Sequence, residues 1–488
     1  MYLNDKIGGW GYKKFQTNEH KYIYDTYTNR VANVDENVYD LVDFIVRNKH
    51  SNNNKKVINI DTKEVIQHYQ NDENMFRQLP FQEIKFSKTN LLKKWERNRL
   101  ILNVTDDCNL RCKYCVFGDA FPRNYRPFSN TMMSFRTAKR SVDDFLKHSS
   151  GKVVISFYGG EPLLRYEFIK DIIGSVRSEY DECDRVDFCV TTNGSILTFD
   201  MLRYFLDNGI MLFISIDGPE YIHDKHRKYT NGEGTHKNII KSLQAAKDYD
   251  TDRYRQLISF QATVNPDLMP VNEVLDYFAS NSLFMSNLVK FNDMEIPENG
   301  FKFVTGSETF SESHYWSDVL RFASQNERTS ITPKIRILLD YYIPHILFLY
   351  NRLSRKSDSN NEIPLNGCCV PGHSRLFVSS AGEYYLCEKI GEYSESIGNS
   401  QSGLDYAKAL EIITRYQNIS IDKCRNCWAM HLCGLCYTSL CDGSSKSFSV
   451  VDREEACTIE RKKIKVDLVR LMELMEANPN FIQEYSEN

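Results

Sequence analysis

The alternation of apolar and polar positions between residues 95 and 300 predicts repeated strand–helix units. Four short apolar runs have the length and composition of buried strands: 100–104, 152–157, 186–190 and 211–216. Helical periodicity lies between them, at 137–148 and 167–178. Because strands that alternate with helices usually pair in parallel, the pattern predicts an α/β fold with a parallel sheet or a barrel.

The pattern of residues 1–92 predicts a small separate unit. Runs at 22–25 and 30–34 flank a turn-like Thr28–Asn29 and predict a hairpin. Asp35 is placed to cap a following helix, whose apolar positions recur at helical spacing: Val38, Leu41, Val42 and Ile45.

Two further stretches have a periodicity typical of packing elements. Residues 301–365 are rich in aromatic and aliphatic side chains, carry no motif, and are expected to bridge their neighbours. The tail, residues 461–488, is predicted to be an amphipathic helix that packs on the body, with one apolar stripe: Ile464, Leu468, Leu471 and Met475.

Composition narrows the function classes. The chain has 488 residues, enough for about three domains at roughly 150 residues each, and is 41% hydrophobic and 26% charged. A net charge of -4 disfavours bulk nucleic-acid binding. The apolar run 337–350 is short for a membrane span and contains Asp340 and Pro344, and residues 1–6 have no secretory apolar region. We therefore expect a cytoplasmic protein without a membrane partner, whose 14 cysteines serve metal or redox sites.

Three of these cysteines directly follow the first predicted strand, at the spacing C-x3-C-x2-C: Cys108, Cys112 and Cys115. A tight loop can direct three thiolates at one small volume. Three thiolates suit an iron–sulfur cluster that normally takes four ligands, and the missing ligand leaves one iron open to an exogenous molecule. Zinc is the competing metal, but structural zinc sites are closed by four ligands.

Small polar motifs follow the other predicted strands: Tyr158 to Pro162, Thr191 to Gly194, and Ser215 to Pro219 with Arg227 beyond it. Ligands collect at the carboxyl ends of parallel strands, and paired glycines allow close backbone approach. Each motif alone is typical of an ordinary strand–helix turn.

Taken in order behind the cysteine triplet, these motifs resemble the radical S-adenosylmethionine (SAM) enzymes. The resemblance implies a partial (β/α)6 TIM-like barrel over residues 93–300, with 261–265 as the next strand. It also implies a 4Fe–4S cluster on Cys108, Cys112 and Cys115 that binds SAM. The implied SAM pocket comprises Tyr114, Gly159, Gly160, Glu161, Pro162, Thr192, Asn193, Ser215, Asp217, Arg227 and Thr263.

Nine cysteines return between residues 368 and 457. Their spacing resembles the SPASM extension of radical SAM enzymes, which implies an auxiliary-cluster domain at 366–460 and three 4Fe–4S clusters in all. The implied ligands of the second auxiliary cluster are Cys424, Cys427, Cys433 and Cys457. The candidates for the first are Cys368, Cys369, Cys387, Cys436 and Cys441. Two residues separate Cys433 from Cys436 where the family has three, so the ligand set of the first cluster and its closure stay open, and a zinc ribbon is the alternative.

The resemblance further implies a peptide maturase. Such an enzyme crosslinks residues of a ribosomally made precursor peptide through a thioether or carbon–carbon bond, and takes electrons from a flavodoxin or ferredoxin. The N-terminal unit resembles the winged-helix leader-binding domain of these enzymes; a packing extension is the alternative. Glu388 is a candidate general base because related enzymes place an acidic residue after this cysteine; a solvated carboxylate is the alternative.

Three other functions remain open from the sequence. An anaerobic sulfatase-maturing enzyme would oxidise Ser or Cys of a protein to formylglycine. A non-catalytic cysteine-rich binding protein would show no SAM cleavage. An RNA-modifying radical SAM enzyme would bind RNA in a strongly salt-dependent way, but this chain lacks the expected basic patch.

Overall fold

A computed structural model of the chain describes most of the molecule, in the ranges 11–40, 42, 75, 97–115, 118, 128–180, 183–264, 269–293, 314–325, 331–353, 367–389, 395–424, 426–437, 441–442, 447–448 and 451–487.

The N-terminal region folds into a three-stranded antiparallel sheet. Its strands are β1 (Tyr12–Gln16), β2 (Lys21–Asp25) and β3 (Arg30–Val34), in that order across the sheet. The predicted hairpin is confirmed: β2 pairs with β3, and Asn29 takes a positive φ of 54° in the turn.

The predicted cap that follows β3 also forms. The Asp35 carboxylate accepts a hydrogen bond from the Val38 backbone N–H at 3.0 Å, and residues 36–40 are helical. The side chains of Leu41 and Ile45 lie outside the described residues, whereas Val38 and Val42 are buried.

The central sheet has six parallel strands in chain order, which confirms the predicted α/β class. They are β4 (Arg99–Thr105), β5 (Val153–Gly159), β6 (Val186–Thr192), β7 (Met211–Ser215), β8 (Ile258–Val264) and β9 (Val289–Asp293). The strand expected at 261–265 begins three residues earlier, at Ile258, and Asn265 lies outside the described residues.

Two strands from the cysteine-rich region extend this sheet beside β4. Strand β10 (Arg375–Val378) runs parallel to β4, and β11 (Tyr384–Tyr385) runs antiparallel to β10. The C-terminal third of the chain therefore contributes directly to the sheet that carries the cysteine triplet. Sequence spacing gave no sign of this pairing between residues more than 270 positions apart.

Helices cover the outer face of the sheet. In the strand–helix region they are α1 (Phe135–Lys147), α2 (Tyr166–Glu179), α3 (Phe199–Asp207), α4 (Glu220–His226), α5 (His236–Tyr249), α6 (Thr251–Leu257) and α7 (Val271–Ser280). Each parallel strand turns every second side chain toward these helices, as Leu100, Leu102 and Val104 do in β4. The intervening side chains of every strand face the concave side.

The remaining elements pack around this unit. The bridging region contains α8 (His314–Ala323) and α9 (Pro333–Leu353). Beyond β11 come the short strands β12 (Gly398–Asn399) and β13 (Gly403–Leu404), then α10 (Tyr406–Cys424), β14 (Cys441–Asp442), β15 (Ser447–Phe448), α11 (Val451–Ala477) and α12 (Phe481–Glu487).

The predicted tail helix is α11, and its stripe is buried at Ile464, Leu468 and Leu471. It starts at Val451, so Cys457 lies on the helix and the expected boundary at 460 falls inside it. Of the helices described, none is long and apolar enough to cross a bilayer.

Candidate functional site

The cysteine loop is held from both sides by backbone hydrogen bonds. On one side, the N–H groups of Gly160 and Glu161 donate to Thr105 O and Asp107 O at 2.9 and 2.8 Å. On the other side, Lys113 N–H donates to His226 O at 3.1 Å. The loop therefore has a fixed place at the carboxyl edge of the sheet, where β4 ends.

Two glycines make the first of these contacts possible. Gly159 has a φ of 151°, and a Cβ added there would lie 2.4 Å from Thr105 O. A Cβ on Gly160 would lie 2.2 Å from Asp107 O. The paired glycines were predicted to allow close approach of the backbone to a ligand. The structure shows that the backbone of the cysteine loop approaches them closely.

The three cysteines of this loop are half-buried and close enough for their charges to interact. Burial raises the pKa of Cys108 and of Cys112 to about 12, and the negative charge of neighbouring Cys115 adds to both shifts. A metal centre binds thiolates and releases their protons, so the raised pKa values describe thiols that a cationic group would deprotonate. Donor chemistry and mutual proximity both fit an iron–sulfur cluster with three protein ligands.

A buried ion pair supports the loop from below. The Arg227 Nε–H donates to Asp217 Oδ2 at 2.9 Å, and the Tyr114 hydroxyl donates to the same oxygen. Asp217 Oδ1 accepts a hydrogen bond from the Thr263 N–H at 3.0 Å. Burial alone would raise the pKa of Asp217, but Arg227 and these hydrogen bonds hold it below its usual value. Tyr114 thus links the cysteine loop to β8.

His223 completes this support, although the sequence analysis did not single it out. Its Nδ1 accepts a hydrogen bond from the Asp217 N–H at 3.2 Å, and its Nε2 lies 2.9 Å from the Thr235 hydroxyl. That hydroxyl donates to Arg227 O at 3.2 Å, so Nε2 carries the hydrogen. Burial lowers the pKa of His223 to about 3 and keeps the ring neutral.

Glu161 is a second buried support. Its carboxylate accepts hydrogen bonds from the Thr192 hydroxyl at 2.7 Å, from Asn193 N–H at 2.8 Å and from Leu163 N–H at 2.9 Å. Pro162 is buried and starts the short helical turn Pro162–Arg165. Asn193 in turn donates to Asn109 Oδ1 at 3.0 Å. These residues, which the sequence analysis predicts to contact SAM, also brace the cysteine loop.

The concave face next to the loop carries partly exposed polar side chains. Ser215 and Thr263 lie there, as expected for a cofactor surface. Strand alternation adds four residues that the sequence analysis did not assign to the SAM pocket: Tyr158, Thr191, Gln261 and Asn292. Thr191, and not the buried Thr192, is the residue of β6 that faces this side. The parity of buried positions along β6 could have revealed it.

The C-terminal cysteines form two groups. In one, the charges of Cys424 and Cys457 raise the pKa of Cys427, and those of Cys427 and Cys424 raise the pKa of Cys433, in both cases after burial. The structure thus brings together the four ligands expected for the second auxiliary cluster.

In the other group, the charge of Cys436 raises the pKa of both Cys368 and Cys369, again after burial. The charges of Cys387 and Cys369 raise the pKa of Arg375. The charge of Cys433 raises the pKa of Cys368, so Cys368 lies between the two groups. The side chain of Cys441, at the start of β14, is outside the described residues.

Glu388 lies beside this second group. Its Oε1 accepts a hydrogen bond from Arg375 Nη1 at 2.8 Å, and Arg375 is the first residue of β10. The carboxylate is therefore fixed at the amino-terminal edge of the concave face, at the opposite end of β4 from the cysteine triplet.

Comparison with known proteins finds similarity over part of the chain. Residues 102–272 match the model of the radical SAM superfamily. The chain is 29% identical over 154 residues to a cysteine-type anaerobic sulfatase-maturating enzyme of Clostridium novyi. The aligned region covers 31% of this chain and 41% of that protein. It is 26% identical over 214 residues to the radical SAM cyclopropyl synthase TigE of Paramaledivibacter caminithermalis, covering 41% and 43%. The chain thus spans less than half of these two relatives.

The fold has a solved counterpart. The structure of native anSMEcpe with bound AdoMet and the Kp18Cys peptide is similar to this one, with a TM-score of 0.56 and 18% sequence identity. The match covers 80% of this chain and 100% of the anSMEcpe chain. This likeness shows the fold.

Proposed function

We propose that this chain, a member of the radical SAM superfamily through its residues 102–272, modifies side chains of a ribosomally made peptide. One observation carries the proposal. Three half-buried thiols lie at one edge of a concave polar face, and a second thiol group with a fixed carboxylate, Glu388, lies at the other edge. A substrate between them can meet both.

The residues at the first edge fit a 4Fe–4S cluster and SAM. Cys108, Cys112 and Cys115 would hold the cluster, and the partly exposed face of Ser215 and Thr263 would hold SAM. When bound, the pair supplies a one-electron cleavage of the SAM sulfonium, and so a radical able to remove hydrogen from an unactivated carbon.

The chain's own residues position the parts. Gly159 and Gly160 let β5 approach the cysteine loop, and the Asp217–Arg227 pair with Tyr114 fixes the loop against β8. Glu388 would accept a proton from the substrate, and Arg375 would hold its carboxylate through their ion pair. The two C-terminal thiol groups would hold the two auxiliary clusters, which makes three clusters, and an electron donor such as flavodoxin or ferredoxin would reduce them.

The N-terminal unit, residues 1–92, would bind the leader of the peptide. Strand β3 is an edge of its three-stranded sheet, and an edge strand offers unpaired N–H and C=O groups to an extended peptide. The relatives add support, because anSMEcpe was solved with a bound peptide and the structure shares its fold.

A sulfatase-maturing activity is the second candidate. A cysteine-type anaerobic sulfatase-maturating enzyme of Clostridium perfringens matches 68% of this chain and 86% of its own length, at 22% identity. A Cys-containing sulfatase peptide converted to an aldehyde that reacts with hydroxylamine would favour this candidate over crosslinking.

The experiment that tests the proposal counts iron, sulfide and zinc after anaerobic reconstitution, and then follows 5′-deoxyadenosine after reduction with dithionite. We expect about 12 irons per chain, and about 4 fewer in a Cys108→Ala/Cys112→Ala/Cys115→Ala variant that no longer cleaves SAM. Zinc near the C-terminus with only about 4 irons would contradict the auxiliary clusters. Unchanged SAM cleavage in the variant would contradict the cofactor site.

A further inference from the structure

We propose that Arg99, Lys290 and Arg375 form a site on the concave face that binds a carboxylate of the substrate. The substrate would therefore be an acidic peptide. The inference rests on the proposed function, because it names the substrate group that the same face would bind. None of the three residues belongs to the SAM surface described above, and Arg375 also contacts the second cysteine group.

Strand geometry places the three cations on one surface. In β9, Val289 is fully buried and Phe291 packs edge-on against Tyr341 of α9, so both face the helices. Lys290 between them therefore points to the concave side. In β4 and β10, Leu100 and Leu376 face the helices. Arg99 and Arg375 precede them and are paired in register.

The charges on this surface are not balanced. The Lys290 side chain is exposed to solvent. Partial desolvation by the surrounding protein lowers its pKa, and the positive charges of Lys389, Arg375 and Arg99 lower it further. Glu388 is an opposing charge that raises the pKa of Lys290, and its carboxylate pairs with Arg375 at 2.8 Å. Within the described part of the chain, neither Lys290 nor Arg99 forms an ion pair. Cations crowded in this way favour an anionic ligand.

The depth of the three cations below the cofactor edge indicates which kind of anion can reach them. Arg99 begins β4 and the cysteine triplet follows its end, so the six intervening steps span about 20 Å. Lys290 pairs with Gln261, two residues before Thr263, and so lies about 7 Å below the cofactor edge. A ligand that reaches all three cations must enter the concave face between the two thiol groups. A carboxylate carried by the substrate peptide meets this requirement.

Arg375 also interacts with the second cysteine group, whereas Lys290 does not. A substitution of Lys290 can therefore test anion binding separately from the cysteine group. The guanidinium of Arg375 interacts electrostatically with the thiols of Cys369 and Cys387 as well as with Glu388, so its charge also stabilises that cysteine group. Lys290 has no such contact with a thiol among the interactions that shift its pKa. A change at Lys290 therefore probes anion recognition with little effect on the cysteine site.

The experiment measures peptide binding to the reconstituted full-length enzyme with SAM present. Three capped tripeptides serve as probes: acetyl-Ala-Asp-Ala-amide, acetyl-Ala-Asn-Ala-amide and acetyl-Ala-Ala-Ala with a free carboxylate. Their protection of Lys290 against acetic anhydride is read by mass spectrometry, and their affinities by calorimetry. Variants are Lys290→Gln and Lys290→Arg, with Lys237→Gln as the matched control, since Lys237 lies on the outer helix α5 with an 82% exposed side chain.

We expect an anionic probe to protect Lys290 and to bind roughly 10-fold or more tightly than the Asn probe, because a charge-assisted hydrogen bond has about that effect. Protection by the Asp probe identifies a side-chain carboxylate, and protection by the free carboxylate identifies a peptide C-terminus. Lys290→Gln should abolish the preference, whereas Lys290→Arg and Lys237→Gln should keep it.

A parallel assay of 5′-deoxyadenosine formation distinguishes failure of the carboxylate site from failure of the proposed function. Equal binding of all three probes to an enzyme that cleaves SAM would overturn the carboxylate site and leave the proposed function intact. An anion preference that survives Lys290→Gln would also overturn it. An enzyme that neither binds iron nor cleaves SAM would instead overturn the proposed function.

Discussion

Gly160 shows how one missing side chain keeps the cysteine loop in place. A Cβ at this position would lie 2.2 Å from Asp107 O and 2.6 Å from Asp107 C, both of them backbone atoms that cannot rotate away. We therefore expect Gly160→Ala to displace the loop, to lower the free energy of unfolding by about 1–3 kcal/mol and to reduce bound iron. Urea denaturation and iron analysis measure the two effects.

Gly174 provides the matched control. It lies within α2, and nothing lies within 4 Å of a Cβ added there. Because alanine favours the helix, Gly174→Ala should raise the free energy of unfolding by about 0.5–1 kcal/mol and leave bound iron unchanged. Equal effects of the two substitutions would show that Gly160 is not required for close approach.

Glu161 gives the protein a dependence of stability on pH. Burial raises the pKa of this carboxyl to about 7, against three hydrogen bonds that lower it, whereas an unfolded Glu has a pKa of about 4.3. The folded state then binds the proton more tightly. Its contribution to stability is complete below about pH 4.3 and is lost as the pH rises toward about 7.

A Glu161→Gln variant isolates this contribution because glutamine does not titrate. The free energy of unfolding of the wild type, minus that of the variant, should fall by roughly 2–4 kcal/mol between pH 4 and pH 8. Urea denaturation across this range measures the difference. A difference that instead rises with pH would mean that the three hydrogen bonds outweigh burial and hold the folded pKa below 4.3.

Glu388 separates proton transfer from SAM cleavage. If its carboxylate accepts the substrate proton, Glu388→Gln should slow peptide modification by about 10²- to 10⁴-fold while the cysteine triplet still supports SAM cleavage. Product mass spectrometry and a 5′-deoxyadenosine assay on the same samples measure both rates. A parallel fall in the two rates would assign Glu388 a structural role through its contact with Arg375.

At the scale of elements, the N-terminal sheet is attached to α11 through one carboxylate. Glu476 accepts hydrogen bonds from the Thr17 and Tyr22 hydroxyls, both at 2.7 Å, and lies 3.2 Å from His20 Nδ1. Glu476→Ala removes all three contacts and should cost about 1–3 kcal/mol of local stability. Hydrogen exchange of the amides of β1, β2 and β3 should accelerate correspondingly.

Glu19 is the neighbouring control for that measurement. It is exposed, and within the described residues its carboxylate accepts no side-chain hydrogen bond. Glu19→Ala changes the local charge by the same amount and should leave the exchange rates of this sheet unchanged. Similar acceleration in both variants would point to a general charge effect and not to the Glu476 contacts.

The same scale shows how far the sequence could predict the fold. The period of the buried positions was enough to find β4 to β7 and the hairpin of β2 and β3, because each is specified by neighbouring residues. The pairing of Arg375 with Arg99 was not predictable, because nothing in either strand names its distant partner.

The candidate site divides in the same way. Local spacing was enough to identify Cys108, Cys112 and Cys115 as one group. It could not show that Asp217 and Glu161 would be buried with their oxygens already engaged, since their partners come from other strands. Lys290 escaped notice because a lone lysine in a strand pattern carries no signal until the strand has neighbours.

In the molecule as a whole, the thiols form three groups joined by the fold. Strand β4 leads from the Arg99–Arg375 edge to the triplet of Cys108. Cys369 and Cys387 lie at that edge beside Arg375, and Cys368 lies between them and Cys433 of the third group. The N-terminal sheet covers the third group, where the Tyr24 ring packs against Trp428 at 6.2 Å.

This arrangement predicts that the middle group serves the substrate and not SAM cleavage. In a Cys369→Ser/Cys387→Ser/Cys436→Ser variant, we expect about 4 fewer irons per chain, since a serine is a poor ligand for this type of cluster. The triplet of Cys108 has its own supports in Asp217 and Arg227, so formation of 5′-deoxyadenosine should continue. Peptide modification should fall below detection, because the nearest electron acceptor is gone.

Cys183 is the control for this variant, because it lies in the short helical turn Cys183–Arg185, away from all three groups. Cys183→Ser should retain every iron and full peptide modification. Loss of SAM cleavage together with the middle group would show that electrons reach the triplet through Cys369 and Cys387. Retained peptide modification with 4 irons missing would remove the middle group from the reaction and leave the outer group of Cys424 as the acceptor.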